Sequence, residues 1–179
     1  RALAVDSHGP TVRWAQRRHA HLRDLHFVHA DVLDLASPRV DVVCALNFSS
    51  FIYRDRPAML RYLRHARRCL LPGGILVLDA FGGAGAMRPR TQTRPADGFT
   101  YVWEQRSFDA ATARIDCRIH FRFSSGPQLR DAFRYDWRLW TLPELCELML
   151  DAGFARGEVW CDGVQRGVFR PTASLSSRE

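Results

Sequence analysis

The sequence contains no lysine: its 26 basic residues are all arginine, set against 19 acids for a formal charge of +7. Complete replacement of one cation by the other points to coding bias as much as to a selected basic surface. With no recognised binding module beside it, the charge does not call for a nucleic-acid partner, and none is expected. There is no run of about 18 apolar residues, so no membrane span is expected either. The opening residues lack the apolar centre of a signal peptide. The five cysteines (44, 69, 117, 146 and 161) form no CxxC pair and lie mostly in apolar segments. Reduced, buried thiols in a cytoplasmic protein are the reading that fits, and no metal site is expected. What is present is enough apolar material, 46% of residues, to build the core of one domain.

Residues 40–83 organise the rest. VDVVCAL (40–46) is a β-branched run of the length of a buried parallel strand. A polar turn follows, Asn47-Phe48-Ser49-Ser50. Met59, Leu60, Leu63, Ala66 and Leu70 then recur at helical spacing, Pro72-Gly73-Gly74 ends the helix, and ILVLDAF (75–81) is a second buried strand. This is a βαβ unit, and ligands in open α/β sheets sit beyond the carboxyl ends of the strands. That places attention on Asn47-Phe48-Ser49 and on Asp79-Ala80-Phe81.

Upstream, residues 2–6 (ALAVD) and 25–30 (LHFVHA) read as two more strands, each ending at an acid, Asp6 and Asp31. The helix over 11–21 between them is expected to turn Val12, Trp14 and Ala15 inward. An acid that ends a strand before a turn and helix can accept hydrogen bonds from both hydroxyls of a ribose. Taken alone, it is more simply a helix-start acid or a turn residue. Residues 1–81 thus predict an α/β fold with a mainly parallel sheet, followed by a linker or lid over 82–98 rich in Gly, Pro and Arg. From 99 to 140 the period becomes two. Phe99, Tyr101 and Trp103, then Ile115, Cys117, Ile119, Phe121 and Phe123, then Phe133, Tyr135 and Trp137 alternate with polar neighbours. This predicts a three-stranded antiparallel insert whose Arg-rich outer face is solvated, or attracts an acidic substrate or partner. Thr141, Pro143 and Glu144 mark a capped helix start, Leu145, Leu148, Met149 and Ala152 its inner face, and Gly153 its end. Residues 155–161 predict a further strand, and 171–179 a frayed tail.

In that order, AVDSHGPTVRWA, FVHADVLDL, VDVVCALNFSSF, RRCLLPGGILVLDAFGG and RLWTLPELCELMLDAGF resemble a class I S-adenosylmethionine-dependent methyltransferase. The resemblance spans about residues 2–161, and the antiparallel insert is similar to that of members acting on small molecules. It implies a Rossmann-like methyltransferase fold with helices on both faces of the sheet, S-adenosylmethionine as cofactor, and a small-molecule methyl acceptor. It implies that Asp6, followed by Ser7, binds the cofactor ribose. Asp31 and Val32 would flank the adenine, and Asn47 and Phe48 would line the methionine part beside the acceptor. Tyr53, Tyr101, Trp103 and Trp140 are candidate acceptor-pocket aromatics, each more readily read as core. No catalytic base is assigned, because positioning can supply much of the catalysis of an in-line methyl displacement.

The departures are specific. The family's first strand and Gly-rich loop lie about 20 residues before the ribose acid, whereas five residues precede Asp6 and the chain opens on Arg1 rather than Met. Its last strand is expected after GVFRP, where the sequence is polar. The expectation is a single incomplete domain over 1–170, cut at both ends, with weakened cofactor affinity. Three other readings stand beside it: a catalytically inactive domain binding a partner through the Arg-rich sheet, a nicotinamide-dependent oxidoreductase, and a basic single-stranded nucleic-acid binder. The acceptor, the transfer to N, O or C, and the oligomeric state are not legible.

Overall fold

A computed structural model describes residues 1–36, 38–162 and 169–176. Two strand–helix–strand units come first. β1 (Ala2–Asp6), α1 (Gly9–Arg18) and β2 (Leu25–His29) form one, with β1 and β2 paired in parallel from Ala2↔Leu25 to Asp6↔His29. β3 (Val40–Ala45), α2 (Arg56–Arg68) and β4 (Leu70–Leu78) form the other, also parallel, with Ala45 opposite Leu78. Equal registers bring both strand ends of each unit to one level, so the loops after β1, β2, β3 and β4 all leave from carboxyl ends. Among the described residues β1 and β3 each pair on one edge only, so the two units form separate two-stranded sheets rather than one continuous sheet.

α2 forms because Asp55 caps it, accepting from the Ala58 amide, and Pro57 fits its first turn. Met59, Leu63 and Ala66 are buried as their spacing predicts. α1 buries Val12 and Ala15, but Trp14 stands outward. Residues 12 and 15 lie three apart on one face, while 14 falls on the far side of a 3.6-residue turn. The Pro-Gly-Gly segment is not a turn between helix and strand as expected. β4 already begins at Leu70, opposite Val40, and pairing resumes at Val42↔Ile75, so residues 71–74 bulge from the strand. Gly74 is fixed there by space: a β-carbon would sit 2.9 Å from the Asp41 carbonyl oxygen.

The insert has four strands, not three: β5 (Arg90–Ala96), β6 (Phe99–Asp109), β7 (Arg114–Phe123) and β8 (Leu129–Arg138) form an antiparallel meander. Most of the expected linker over 82–98 is therefore ordered, as a short 3-10 helix (Ala84–Met87) and the edge strand β5. β5 carries Arg, Thr, Gln and Pro rather than alternating apolar residues. That composition suits an edge, where Pro and charge block further pairing, and it hides the strand from a periodicity reading. One face of the sheet carries Tyr101, Trp103, Cys117, Tyr135 and Trp137. The opposite face carries arginines held by acids: Arg114 by Asp136, Arg118 by Asp116, Arg134 by Asp131, and Arg138 by Glu144 at 2.6 Å. The Arg-rich face is thus largely neutralised by its own carboxylates.

α3 (Leu142–Asp151) opens with a full capping box. Thr141 Oγ accepts from the Glu144 amide, and Glu144 accepts in return from the Thr141 amide at 2.9 Å. Thr141→Ala is expected to cost about 1 kcal/mol, read as a lowered urea midpoint with unchanged slope. β9 (Arg156–Asp162) follows and pairs antiparallel with β10 (Phe169–Ser176). The last strand is therefore present, against the expectations of a missing strand and of a tail frayed from 171. Serines and Pro171 keep its hydrophobicity low, and the ladder absorbs the proline through a register shift between Pro171 and Ala173.

Candidate functional site

The loop after β1 is shaped by Asp6. Its Oδ1 accepts from the His8 amide at 2.7 Å, and its carbonyl accepts from the Ala30 amide at 3.1 Å. The first bond starts the turn into α1, which has no other side-chain cap; the second ties the ends of β1 and β2 together. His29 Nε2 donates to the Ser7 carbonyl at 3.0 Å and packs against Gly9, so Ser7 lies pinned between the two strand ends. Asp31 repeats the pattern: Oδ1 accepts from the Leu33 amide at 2.8 Å. Val32 and Leu33 then turn into the main core. Each acid spends one oxygen on its own turn. The second oxygens, Oδ2 of Asp6 and of Asp31, have no hydrogen-bond partner among the described residues, and Asp6 is exposed.

The loop after β3 takes an unusual backbone. Asn47 and Phe48 both have φ of 58°. The left-handed region disfavours any side chain, and a bulky one most. The compensation comes from Asp79, the first residue past β4. Its Oδ2 accepts from the Asn47 amide and its Oδ1 from the Phe48 amide, both at 2.8 Å. One carboxylate thus clamps two successive amides at the meeting point of β3 and β4. The clamp sets the Phe48 ring 4.8 Å from Phe81, 5.9 Å from Phe51 and 6.3 Å from Trp137, centroid to centroid. Phe48 is therefore the joint between the βαβ unit and the insert. Asp79 is the residue that the spacing of the sequence marked only as a strand end; a carboxylate at the end of the strand beside a polar turn was the available signal.

Of the aromatics, Tyr53 stacks on Tyr62 at 4.6 Å. Burial, then the neighbouring Tyr62 and the charge of Asp31, raise the Tyr53 phenol far above its ordinary range, and burial pushes Tyr62 up to about 12. Both stay neutral near pH 7 and neither acts as a base there. Tyr101 and Trp103 lie half-buried on the inner face of the insert, Trp103 being 5.9 Å from Trp137. Trp140 differs from the other three. It is 2% exposed, donates to the Tyr53 carbonyl at 2.9 Å and lies under the Arg138 guanidinium at 3.8 Å. It packs in the main core. Among the described residues, no group of three or more His, Cys, Asp or Glu side chains is placed to hold a metal ion, and no helix is long and apolar enough to cross a membrane.

Residues 1–78 match the family model described as a methyltransferase domain. No curated protein matches the sequence. Among solved structures, the CcbJ methyltransferase from Streptomyces caelestis superposes with a TM-score of 0.70 at 18% identity, over 88% of this chain and 64% of that one. The sugar N-methyltransferase KedS8 from Streptoalloteichus sp ATCC 53650 gives 0.65 at 21% identity, over 99% and 71%. CalS10, an amino pentose methyltransferase from Micromonospora echinaspora in a structure with bound S-adenosylmethionine, gives 0.66 at 16% identity, over 93% and 70%. The chain thus spans just under two thirds of the CcbJ length and somewhat more of the other two. These likenesses extend across the insert as well as the strand–helix units.

Proposed function

We propose that this chain, built on the class I S-adenosylmethionine-dependent methyltransferase fold, binds S-adenosylmethionine at the carboxyl ends of β1–β4 and methylates a small molecule held beneath the insert. One observation carries the reading. At the ends of β1 and β2, Asp6 and Asp31 each form their own turn with one oxygen and leave the other without a protein donor. A carboxylate oxygen so placed at a strand end is an acceptor for a ligand hydroxyl or amine. Asp6 would take the ribose hydroxyls, with Ser7 held beside it. Asp31 and Val32 would flank the adenine. The backbone turn at Asn47 and Phe48, fixed by Asp79, would line the methionine part. The comparison proteins described as sugar and amino pentose methyltransferases support a small-molecule acceptor.

When bound, S-adenosylmethionine supplies an electrophilic methyl group on a sulfonium. The protein's contribution is then to hold the acceptor in line and to exclude water. Phe48 and Phe81 form an apolar wall that serves both ends. No tyrosine around the site is placed to serve as base: Tyr53, Tyr62, Tyr101 and Tyr135 are all shifted upward by burial first. An acceptor that loses its proton to solvent, or after transfer, fits such a site.

Titration calorimetry of the full chain with S-adenosylmethionine tests the reading. Asp6→Asn keeps an oxygen for the His8 amide, and so the turn, while removing the charge and one acceptor. Its affinity is expected to fall by roughly tenfold or more, as for loss of a charge-assisted hydrogen bond. Equal affinity of wild type and Asp6→Asn would remove Asp6 from the ribose role and undercut the assignment.

A further inference from the structure

The inner face of the insert is an aromatic surface with charge at one rim. Tyr135 lies 4.4 Å from Trp137 and 6.2 Å from Trp103, and Trp137 touches Phe48, so the surface runs from the proposed methyl-transfer position outward along β6 and β8. Toward its outer end it opens: Tyr101 and Phe121 are half-buried and Phe133 is 52% exposed. The strand register then adds β5. Arg90 lies opposite Gln105, Gln92 opposite Trp103 and Arg94 opposite Tyr101, so all three belong to the aromatic face.

Arg90 and Arg94 are the arginines whose register places them on the aromatic face; Arg122 and Arg130 elsewhere on the insert also have no carboxylate partner among the described residues. On the opposite face Arg114, Arg118, Arg134 and Arg138 each have a carboxylate partner. Among the described residues neither Arg90 nor Arg94 has one. The Arg90 guanidinium stands 6.0 Å from the Phe81 ring centroid, and its Nε is buried without an acceptor. Beside it, Gln105 is 1% exposed; its Nε2 donates to the Ala86 carbonyl at 2.6 Å, but its Oε1 has no donor. A buried donor and a buried acceptor left open at the foot of an aromatic face are costly unless a ligand meets them. Phe48 and Phe81, which bound the methyl-transfer position, adjoin this foot. Arg94 lies directly opposite Tyr101 in the ladder, and its charge partly offsets the rise of the Tyr101 phenol from burial.

We infer that the methyl acceptor is an aromatic carboxylic acid, its ring laid on Trp103 and Tyr135 and its carboxylate held by Arg90 and Arg94, so that a ring hydroxyl or amine at the Phe48 end forms the new bond to the methyl carbon as the sulfonium C–S bond breaks, the thioether leaves and the proton passes to solvent. Two physical points decide this chemistry. Flat rings stack on Trp and Tyr faces without the directional donors that a polar acceptor requires. An arginine fork matches a carboxylate geometrically, and beside the half-buried Arg90 a monoanion costs less to desolvate than a phosphate dianion. The inference rests on the methyltransferase reading and sharpens its acceptor.

The test uses 2-naphthoate, its neutral isostere 2-naphthamide and 2-naphthyl phosphate as probes, titrated calorimetrically into the full chain. Naphthoate is expected to bind at least about tenfold more tightly than the amide, the scale of one charge-assisted contact. In the double variant Arg90→Gln/Arg94→Gln the two affinities should converge. Trp103→Ala should weaken both. Arg122→Gln, on the opposite face, should change neither. Equal binding of acid and amide, no binding of either, tighter binding of the phosphate, or a preference that survives in the double variant would each overturn the inference. S-adenosylmethionine titrated into the same samples separates the two readings. Intact cofactor binding without acid selectivity sinks the acceptor class alone, whereas loss of cofactor binding in wild type sinks the methyltransferase reading itself.

Discussion

Phe51→Ala is expected to destabilise the chain by about 3–5 kcal/mol, the range for truncating a fully buried aromatic. Phe51 is 0% exposed. It sits in the 3-10 helix Ser49–Ile52, between Phe48 at 5.9 Å, Phe81 at 5.5 Å and Trp137 at 6.2 Å. Those three rings belong to the loop after β3, the segment after β4, and strand β8. The cavity would therefore open where three separate elements meet. β8 cannot move in to fill it without breaking its ladder to β7, so little of the lost contact is recovered. Urea denaturation of wild type, Phe51→Leu and Phe51→Ala gives the measurement. The leucine variant should keep most of the stability, since it retains volume. Trp14→Ala, at a position 56% exposed, should change little. A loss below about 1 kcal/mol for Phe51→Ala, small against the range for buried aromatics, would mean that the insert and the βαβ unit are not joined through this ring.

The residues that were legible share one property: their local chemistry agrees with their tertiary role. VDVVCAL and ILVLDAF read as strands because β-branched runs have no better local option, and the Thr141–Glu144 box read as a helix start because its two bonds are made within four residues. Asp6 and Asp31 stand where apolar runs stop, and each closes its own turn within two residues, which is a local signal. What escaped was set by partners far along the chain. Arg90–Ala96 is a strand only because β6 offers a ladder, and its polarity is that of an edge. Phe169–Ser176 is a strand because β9 accepts it despite Pro171. Trp140 is held by Tyr53, 87 residues away, a partner that no local spacing announces. Val42 and Ile75, in runs suited to a sheet covered on both faces, are 50% and 59% exposed, which periodicity alone does not foresee. The two unpaired arginines of the aromatic face were hidden among many others, because composition does not show which have acids beside them.

Asp79→Ala is the second large effect, and it reports on the site more directly. The wild-type carboxylate satisfies two amides whose residues are both held at φ of 58°. A hydrogen bond to a charged group contributes about 1.5–3 kcal/mol. Losing both would cost more than the loop gains by staying where it is, because a non-glycine residue in the left-handed region is itself strained by about 1–2 kcal/mol. The loop is therefore expected to leave this conformation, giving back the strain and carrying the Phe48 ring out of its contact with Phe81. The net loss of global stability should then be about 2–3 kcal/mol, less than the two bonds summed. Amide exchange should show the change locally, with the Asn47 and Phe48 amides exchanging roughly a hundredfold faster, about ten for each 1.4 kcal/mol. Asp79→Asn should behave nearly as badly. Its carboxamide offers one oxygen to one amide and turns donors toward the other, so the donor–donor clash replaces the second bond. Phe48→Gly separates strain from clamp. Glycine accepts the φ without penalty, so combined with Asp79→Ala it should recover part of the lost stability, about the 1–2 kcal/mol of strain removed, while the residue 47 and 48 amides, with no carboxylate to accept from them, still exchange fast. If both amides keep their wild-type protection in Asp79→Ala, the left-handed turn is maintained by the packing of Phe48 alone, and Asp79 has no part in shaping the wall of the proposed cofactor site.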